Sequence, residues 1–405
     1  MSKTHDIIIV GGGMVGLTLA LALARQTSLS IALLESRSQE EVWSPSHYHH
    51  RVSAIALSSQ RIFEALDVWN AMQQKRTSPF TNIEVWEEGS QHDIHFSCEE
   101  IAETKLGAIV ENNVIQSVLQ EKIKQYPSIE YISPVSLIEM IENESYIQLN
   151  RHQGNSLKAS LVIAADGAQS WIRQNANIAL LRHDYDQEAI VANVHTTLPH
   201  EHTARQVFLK TGPLAFLPLA LPTLSSIVWS LPTHEAARLK SADLNDFKQA
   251  LTQAFASRLG EVHDVFARYS FPLSKQEVRQ YVKPRIALVG DAAHTIHPLA
   301  GQGVNIGLLD VAALVEVIHD AVKKRIDFSH LSTLRRYERW RRADNLAMLS
   351  GVHFIKNIFA SDKKSIQQLR SFGLTFTNKM PWMKNMFIRH AVGDRKGLPK
   401  MALKS

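Results

Sequence analysis

The tightest constraint on this chain lies in its first thirty-five residues. Asp6 to Val10 is a short apolar run, Gly11, Gly13 and Gly16 follow at G-x-G-x-x-G spacing, and an apolar segment continues from about Met14 to Arg25. That order predicts a buried parallel strand, a tight turn and a helix. A second β-rich run, Ile31 to Leu34, ends at Glu35, nineteen positions beyond Gly16. Glycines at such a turn let the backbone approach a pyrophosphate, and the unpaired amides and dipole of the helix N-terminus stabilise its charge. A carboxylate at the tip of the second strand accepts hydrogen bonds from a ribose. The unit therefore predicts a dinucleotide, with Gly11, Gly13, Met14, Val15 and Gly16 at the pyrophosphate and Glu35 at the adenosine ribose. An incidental glycine-rich turn would not require the distal acid.

Ile7 to Ala24 is also an uncharged stretch closing on Ala22-Leu23-Ala24, which superficially copies a secretory signal. Gly11, Gly12, Gly13 and Gly16 would weaken a hydrophobic helix at its middle, so the strand-turn-helix reading is preferred. No other stretch is apolar and long enough to suggest a bilayer span. With 45% hydrophobic and 20% charged residues in 405, the composition is that of a globular protein with a large core. The net charge of +5 is too dilute for a nucleic-acid surface. Cys98 stands alone, so no internal disulfide forms, and no Cys/His cluster has metal-ligand spacing. A cytoplasmic location is expected, with Cys98 as a packed side chain and no metal site.

Two later strands repeat the design. Leu161-Val162-Ile163-Ala164-Ala165 leads into Asp166-Gly167-Ala168-Gln169-Ser170 with Arg173 beyond, and Ile286-Ala287-Leu288-Val289 leads into Gly290-Asp291-Ala292-Ala293-His294. Pro298-Leu299-Ala300-Gly301-Gln302-Gly303-Val304-Asn305 follows, and then an apolar helix to about Ile318. An N-terminal G-x-G-x-x-G, a central D-G-x-x-S-x-x-R and a late G-D, in that order, resemble the FAD-dependent monooxygenases of the aromatic hydroxylase fold. His297 to Gly307, Val110-Glu111-Asn112 and Arg51-Val52-Ser53-Ala54-Ile55 resemble the hydroxylases that decorate the ubiquinone ring. The resemblance extends over nearly the whole chain. It includes Glu84-Val85-Trp86, Ala204 to Phe208, Phe216-Leu217-Pro218-Leu219 and Ser226 to Ser230, which are most similar to the branch acting early on a 2-polyprenylphenol. The branch acting later, on a demethoxyquinol, is also similar. The run His47-Tyr48-His49-His50 departs from the family pattern.

The resemblance implies a fold: an α/β chain in which a Rossmann-like FAD-binding domain (1–72, 105–175 and 282–345) is interleaved with a β-sheet substrate domain (73–104 and 176–281). A C-terminal helical region (346–405) follows. It also implies a cofactor, FAD, and a transient co-substrate, NADPH or NADH, since no second complete G-x-G-x-x-G exists for a separate nicotinamide domain. Dioxygen would then give a flavin hydroperoxide whose terminal oxygen attacks an electron-rich prenylated phenol. Asp291 would bond the ribityl hydroxyls, or else cap a helix. The amides of Gly301, Gln302, Gly303, Val304 and Asn305 would face the isoalloxazine carbonyl, and Pro298 would wall the ring. Arg51 would pair with the pyrophosphate or the flavin edge, and Glu111 or Asn112 would reach the ribityl chain, with surface ion pairs or caps as the rival roles. Asp166 and Arg173 divide between nicotinamide and flavin contact and a purely structural turn. His294 and His297 divide between a proton relay to the phenol and bonding of nearby backbone.

Between the last two motifs, Ala189 to Val194, Arg205 to Leu209, Leu214 to Leu217 and Ser226 to Trp229 alternate as strands, and Leu244 to Leu259 reads as one amphipathic helix covering them. Phe216, Leu217, Leu219, Leu221 and Trp229 are candidates for an apolar cavity, or for ordinary core. Met348, Val352, Ile355 and Phe359 keep helical spacing, and Phe372, Leu374, Trp382, Met383, Met386 and Phe387 alternate with Lys379, Lys384 and Arg389. This basic amphipathic end suits docking on the protein, a homo-oligomer contact, other ubiquinone-biosynthesis proteins or the inner face of a membrane. Arg335, Arg336, Arg339, Arg341 and Arg342 read as a solvated helix face. A flavin halogenase would carry Trp-x-Trp-x-Ile-Pro, absent from this sequence. A prenyl reductase and a flavin-bound scaffold without turnover are the other rival readings.

Overall fold

In a computed structural model of the chain, the described residues are 3–38, 43–90, 93–295, 303–359, 389, 392–393 and 397–404, with 347–359 as backbone only. Among them, five strands run parallel in the order Ile286–Leu288, Leu157–Ala164, Lys3–Val10, Ile31–Leu34 and Ile129–Ile132. Val10 stands in register with both Leu34 and Ala164, so the strands end together and their turns project from one edge. Ile7 to Val10, Ile31 to Leu34 and Leu161 to Ala164 are all buried, the continuous apolar pattern of a sheet covered on both faces. Two of these strands begin earlier than their apolar runs suggest, because Lys3, Thr4 and His5 pair with Leu157, Lys158 and Ala159 at the amphipathic end of the sheet.

The helix Met14–Gln26 starts where the first strand ends and packs against the helix Gly303–Lys323. Leu17, Leu19, Leu21 and Leu23 are fully buried, each contributing about 2 kcal/mol. Contact between the two helices is close: a Cβ on Gly307 would lie 2.9 Å from a methyl of Val15. Leu21→Asp would place a charge in this layer without a partner and break it.

The second sheet is antiparallel over most of its extent. Its centre is the seventeen-residue strand Leu180–Thr196, flanked by Leu224–Pro232 on one side and Tyr269–Val278 on the other. Gly212–Pro218, Thr203–Leu209, Asn82–Glu87 and Asp93–Ser97 continue it. Strand alternation sorts its residues into two layers. Ile190, Phe216, Ile227 and Trp229 join Phe247 and Phe255 beneath the helices Thr233–Ser241 and Leu244–Ala254, where the Phe216 and Phe255 rings stack at 3.8 Å. The opposite face, with Ala189, Val191, Leu217, Ser226, Val228 and Phe271, turns toward the parallel sheet.

This sorting corrects the cavity expectation. Only Leu217 of the five candidates lines the cavity; Phe216 and Trp229 point the other way, Leu219 packs in a separate cluster and Leu221 is exposed. The helix expected to reach Leu259 ends at Ala254, since Ala256 and Ser257 adopt φ values of 51° and 52°, outside the helical region. Cys98 is buried beside Leu57 and Phe80. The helix Leu331–Phe359 includes Met348, Val352, Ile355 and Phe359, whereas Phe372, Leu374, Lys379, Trp382, Met383, Lys384, Met386 and Phe387 lie outside the described residues. Among the described residues, no helix is long and apolar enough to cross a membrane.

Candidate functional site

The two sheets enclose a cavity of about 1230 Å³ over the carboxyl ends of the parallel strands. Its floor begins with the glycine turn. Gly11 takes φ +112°, and a Cβ there would stand 2.2 Å from the Ala165 carbonyl oxygen; on Gly16 it would stand 1.8 Å from that of Gly11. Those two glycines let strand, turn and helix close on one another. Gly13 differs: nothing lies within 4 Å of its Cβ position, because it faces the cavity. As N-cap it brings no side-chain hydrogen bond, and the first turn holds no acid, so the helix presents amides and positive dipole to the space above. Glu35 lines the same cavity; its Oε2 accepts from the Gly12 amide at 2.7 Å and its Oε1 from the Arg37 amide at 2.9 Å.

The other two turns meet this one edge on. Asp166 accepts the Ile172 amide on Oδ2 at 3.1 Å, while its buried Oδ1 has no partner among the described residues. Burial pushes its pKa up against the pull of Ser170 and nearby amides. Arg173 is buried and donates from Nη1 to the Ala292 carbonyl (3.0 Å) and from Nη2 to the Ala168 carbonyl (2.8 Å). It therefore ties the two turns together. Asp291 projects between them, open to the cavity yet walled by protein, and this crowding raises its pKa despite His294 and Arg51 nearby.

Around the rim, Arg51 lines the cavity with its guanidinium 5.5 Å from the centroid of the Phe271 ring. Asn112 lines it too, its Oδ1 accepting from the Ser53 hydroxyl at 2.8 Å. Met14, Val15, Gly303 and Val304 complete this part of the wall. Glu111 is turned elsewhere, and the side chain of Asn305 is engaged with backbone beside the cavity. Glu111 is buried off the cavity, accepting from Arg76 at 3.0 Å and the His49 amide at 2.6 Å, a buried ion pair where the rival reading had a surface one. Asn305 clips the strand Val52–Ala56, accepting from the Ala56 amide (3.0 Å) and donating to the Ala54 carbonyl (2.8 Å). His297, Pro298, Gly301 and Gln302 lie outside the described residues.

His294 bonds neither backbone nor cavity. Its Nε2 lies 2.5 Å from Oδ2 of Asp310, a fully buried carboxylate that also accepts from the Gly290 amide (3.1 Å), Arg341 Nε (2.8 Å) and Asn345 Nδ2 (3.2 Å). Burial alone would raise Asp310, but His294 and Arg341 outweigh it and hold the carboxyl down to about 2. Arg341 thus departs from the solvated face expected of it: Arg335, Arg336, Arg339 and Arg342 are exposed, and Arg341 is buried. Sequence reasoning missed Asp310, although the run Gly307-Leu308-Leu309-Asp310-Val311-Ala312-Ala313 carries the signal, since an acid inside an apolar helical run needs a buried partner.

These residues fit FAD. The open face of Gly13, the uncapped helix N-terminus, the unpartnered Asp166 oxygen and the cavity-facing Asp291 are complementary to a pyrophosphate flanked by hydroxyl-bearing groups. The volume exceeds the roughly 300–1,000 Å³ of an ordinary ligand pocket, leaving room for a second molecule. Comparison with known proteins agrees. The family described as FAD binding domain matches residues 4–349. The chain is 35% identical over 392 residues to the 3-demethoxyubiquinol 3-hydroxylase of Escherichia coli, covering 97% of this chain and 99% of the relative. It is 34% identical over 394 residues to the ubiquinone hydroxylase UbiL of Rhodospirillum rubrum, covering 97% and 91% respectively. Among solved structures, p-nitrophenol 4-monooxygenase PnpA from Pseudomonas putida shares the fold, with a TM-score of 0.78 at 18% identity over 98% of this chain and 99% of the other. The chain belongs to the FAD binding domain family, among the FAD-dependent monooxygenases, and within them to the flavin hydroxylases of ubiquinone biosynthesis.

Proposed function

We propose that this chain hydroxylates the aromatic ring of a polyprenylphenol intermediate, consuming dioxygen and NADPH or NADH. The observation that carries the reading is the roof of the cavity, where Ala189, Val191, Leu217, Val228, Phe271 and Leu273 face the glycine turn and Asp291 with Ser226 among them. An apolar ring and its chain gain about 25 cal/mol for each Å² removed from water against such a surface. The same surface keeps water from the reacting atoms.

FAD, when bound and reduced by the nicotinamide, supplies the activation of dioxygen. The chain's own residues hold and aim it. Gly11, Gly13 and the amides of Met14 and Val15 would take the pyrophosphate, Glu35 the ribose, and Asp291 and Asn112 the ribityl hydroxyls. Arg51 would neutralise the pyrophosphate or the flavin edge, and the amides of Gly303 and Val304 would stabilise charge on the ring carbonyl. Asp166 contributes its unpartnered oxygen to the same cradle. His297 and Pro298 remain the candidates beside the reacting ring.

A second reading, action on demethoxyubiquinol later in the pathway, is favoured by the 35% identity to the enzyme named for that step. Mass analysis of the precursor that accumulates in cells lacking the chain separates the two. A polyprenylphenol that lacks the first added ring hydroxyl supports the early step, and a demethoxyquinone assigns the later one. An unchanged quinone pool, with purified protein that forms no ring product from either, removes both.

A further inference from the structure

A second hollow, about 340 Å³, opens beside the cavity and is lined by Tyr48, His49, His50, Asn113, Asn193 and Tyr269 among others. His49 lines both spaces. Ala189, Val191 and Asn193 alternate onto one face of the strand Leu180–Thr196; the first two line the cavity and the third the hollow, so the spaces are consecutive along that strand. The hollow is built largely from the histidine run in which this sequence departs from the family pattern.

Its polar groups are incomplete. Asn193 is 2% exposed, and its Nδ2 donates to the carbonyls of Tyr48 (3.5 Å) and His49 (3.2 Å), which fixes the amide orientation. Oδ1 is thereby left as a buried acceptor with no partner among the described residues. Asn113 is 7% exposed, and its Oδ1 is also buried without a partner among them. Ser226, in register with Asn193 across the sheet, presents another such hydroxyl in the adjoining cavity. Buried carbonyls are almost always given a donor, so two in one hollow point to a ligand that brings donors. The wall beside them is aromatic: the His50 and Tyr269 rings stack at 3.8 Å, and Phe266 stands half exposed at the mouth. Burial lowers the His50 pKa to about 4, so that wall is uncharged at neutral pH.

We propose that this hollow is a second station for the ring of the substrate or product, selective for rings that carry O–H donors, quinols and catechols, over quinones. The proposal rests on the ring-hydroxylase reading above and names a specificity within it. A quinone offers only acceptor oxygens, which would face the acceptor oxygens of Asn113 and Asn193. A quinol of the same shape supplies the missing donors and stacks its ring on the aromatic wall.

The test uses the FAD-loaded protein under nitrogen without nicotinamide, with duroquinol and duroquinone as probes in equilibrium dialysis. Duroquinol is expected to bind about tenfold more tightly, and Asn113→Leu or Asn193→Leu to abolish that preference while duroquinone binding stays constant. Equal affinities in the unmodified protein, or a preference that survives both substitutions, overturn the proposal. Asn193→Leu also removes two bonds to the 48–49 backbone; Asn113→Leu removes no such pair and decides the matter if the former fails to fold. Equal affinities in unmodified protein that does hydroxylate a prenylphenol remove the hollow and leave the function. A preference retained in protein that hydroxylates neither ring does the reverse.

Discussion

Two carboxylates flank the turn from Gly290 to His294, and they behave oppositely. Behind the turn, Asp310 is sealed in the core and receives donors from Gly290, His294, Arg341 and Asn345. In front, Asp291 faces the cavity, and its side chain takes no hydrogen bond among the described residues. Pairing holds the first carboxyl down to about 2, whereas crowding by protein pushes the second one up. One turn therefore separates two demands. The satisfied acid fixes the backbone, and the unsatisfied acid leaves its lone pairs open to the cavity.

The comparison is broken most forcefully from behind. Asp310→Ala leaves Arg341 buried without its main counter-charge, and removing one partner of such a pair costs about 3–5 kcal/mol. Urea unfolding of the flavin-free protein should show this loss. The sign with pH follows from the depressed carboxyl: its contribution is fully present above the unfolded value of roughly 4 and is lost as pH falls through about 2. The variant should therefore lose less stability than the parent on acidification from pH 4 toward 2. A stability indistinguishable from the parent's at pH 7 would mean that the network does not hold the turn.

From the front the effect should fall on binding alone. Asp291→Asn gives up charge-assisted bonds to hydroxyls, and two of these correspond to about 100-fold in FAD affinity, read by fluorescence titration of the flavin-free protein. Stability should not fall. A carboxyl whose folded pKa is raised stabilises the protein only at low pH, and the stability is lost as pH rises through that value, so the amide is at least as stable near pH 7. Unfolding of this variant alongside Asp310→Ala would erase the distinction between front and back.

The front of the turn was legible in the sequence and the back was not. Gly11, Gly16 and Glu35 sit at strand ends, where local geometry limits both residue type and position, so spacing locates them, and Asp291 ends another such strand, where the family resemblance marked it. Asp310 and Arg341 are thirty-one residues apart on different helices, and no local rule joins them. Leu334, Tyr337, Arg341 and Asn345 do share one helical stripe, and all are buried; counting that stripe would have separated Arg341 from its exposed neighbours. The roof was left open between cavity and core for another reason. The strand Gly212–Pro218 is apolar on both faces, so hydrophobicity cannot say whether Leu217 or Phe216 meets the cavity. The adjacent strand gives no help either, since Ser225 and Ser226 put a hydroxyl on each of its faces at that level.

The finest version of the comparison concerns Glu35, which combines both behaviours in one side chain. Its oxygens already hold the amides of Gly12 and Arg37, as Asp310 holds its donors, yet it lines the cavity, as Asp291 does. Glu35→Gln keeps one carbonyl oxygen and replaces the other with an NH₂ that cannot accept, so either a backbone amide or a ribose hydroxyl loses its acceptor. A single bond of this kind is worth about 1 kcal/mol, or about fivefold in FAD affinity, with little change in unfolding. A loss as large as that of Asp291→Asn would place most of the cofactor's hold at the ribose end, and no loss at all would reduce Glu35 to a clamp on its own turn.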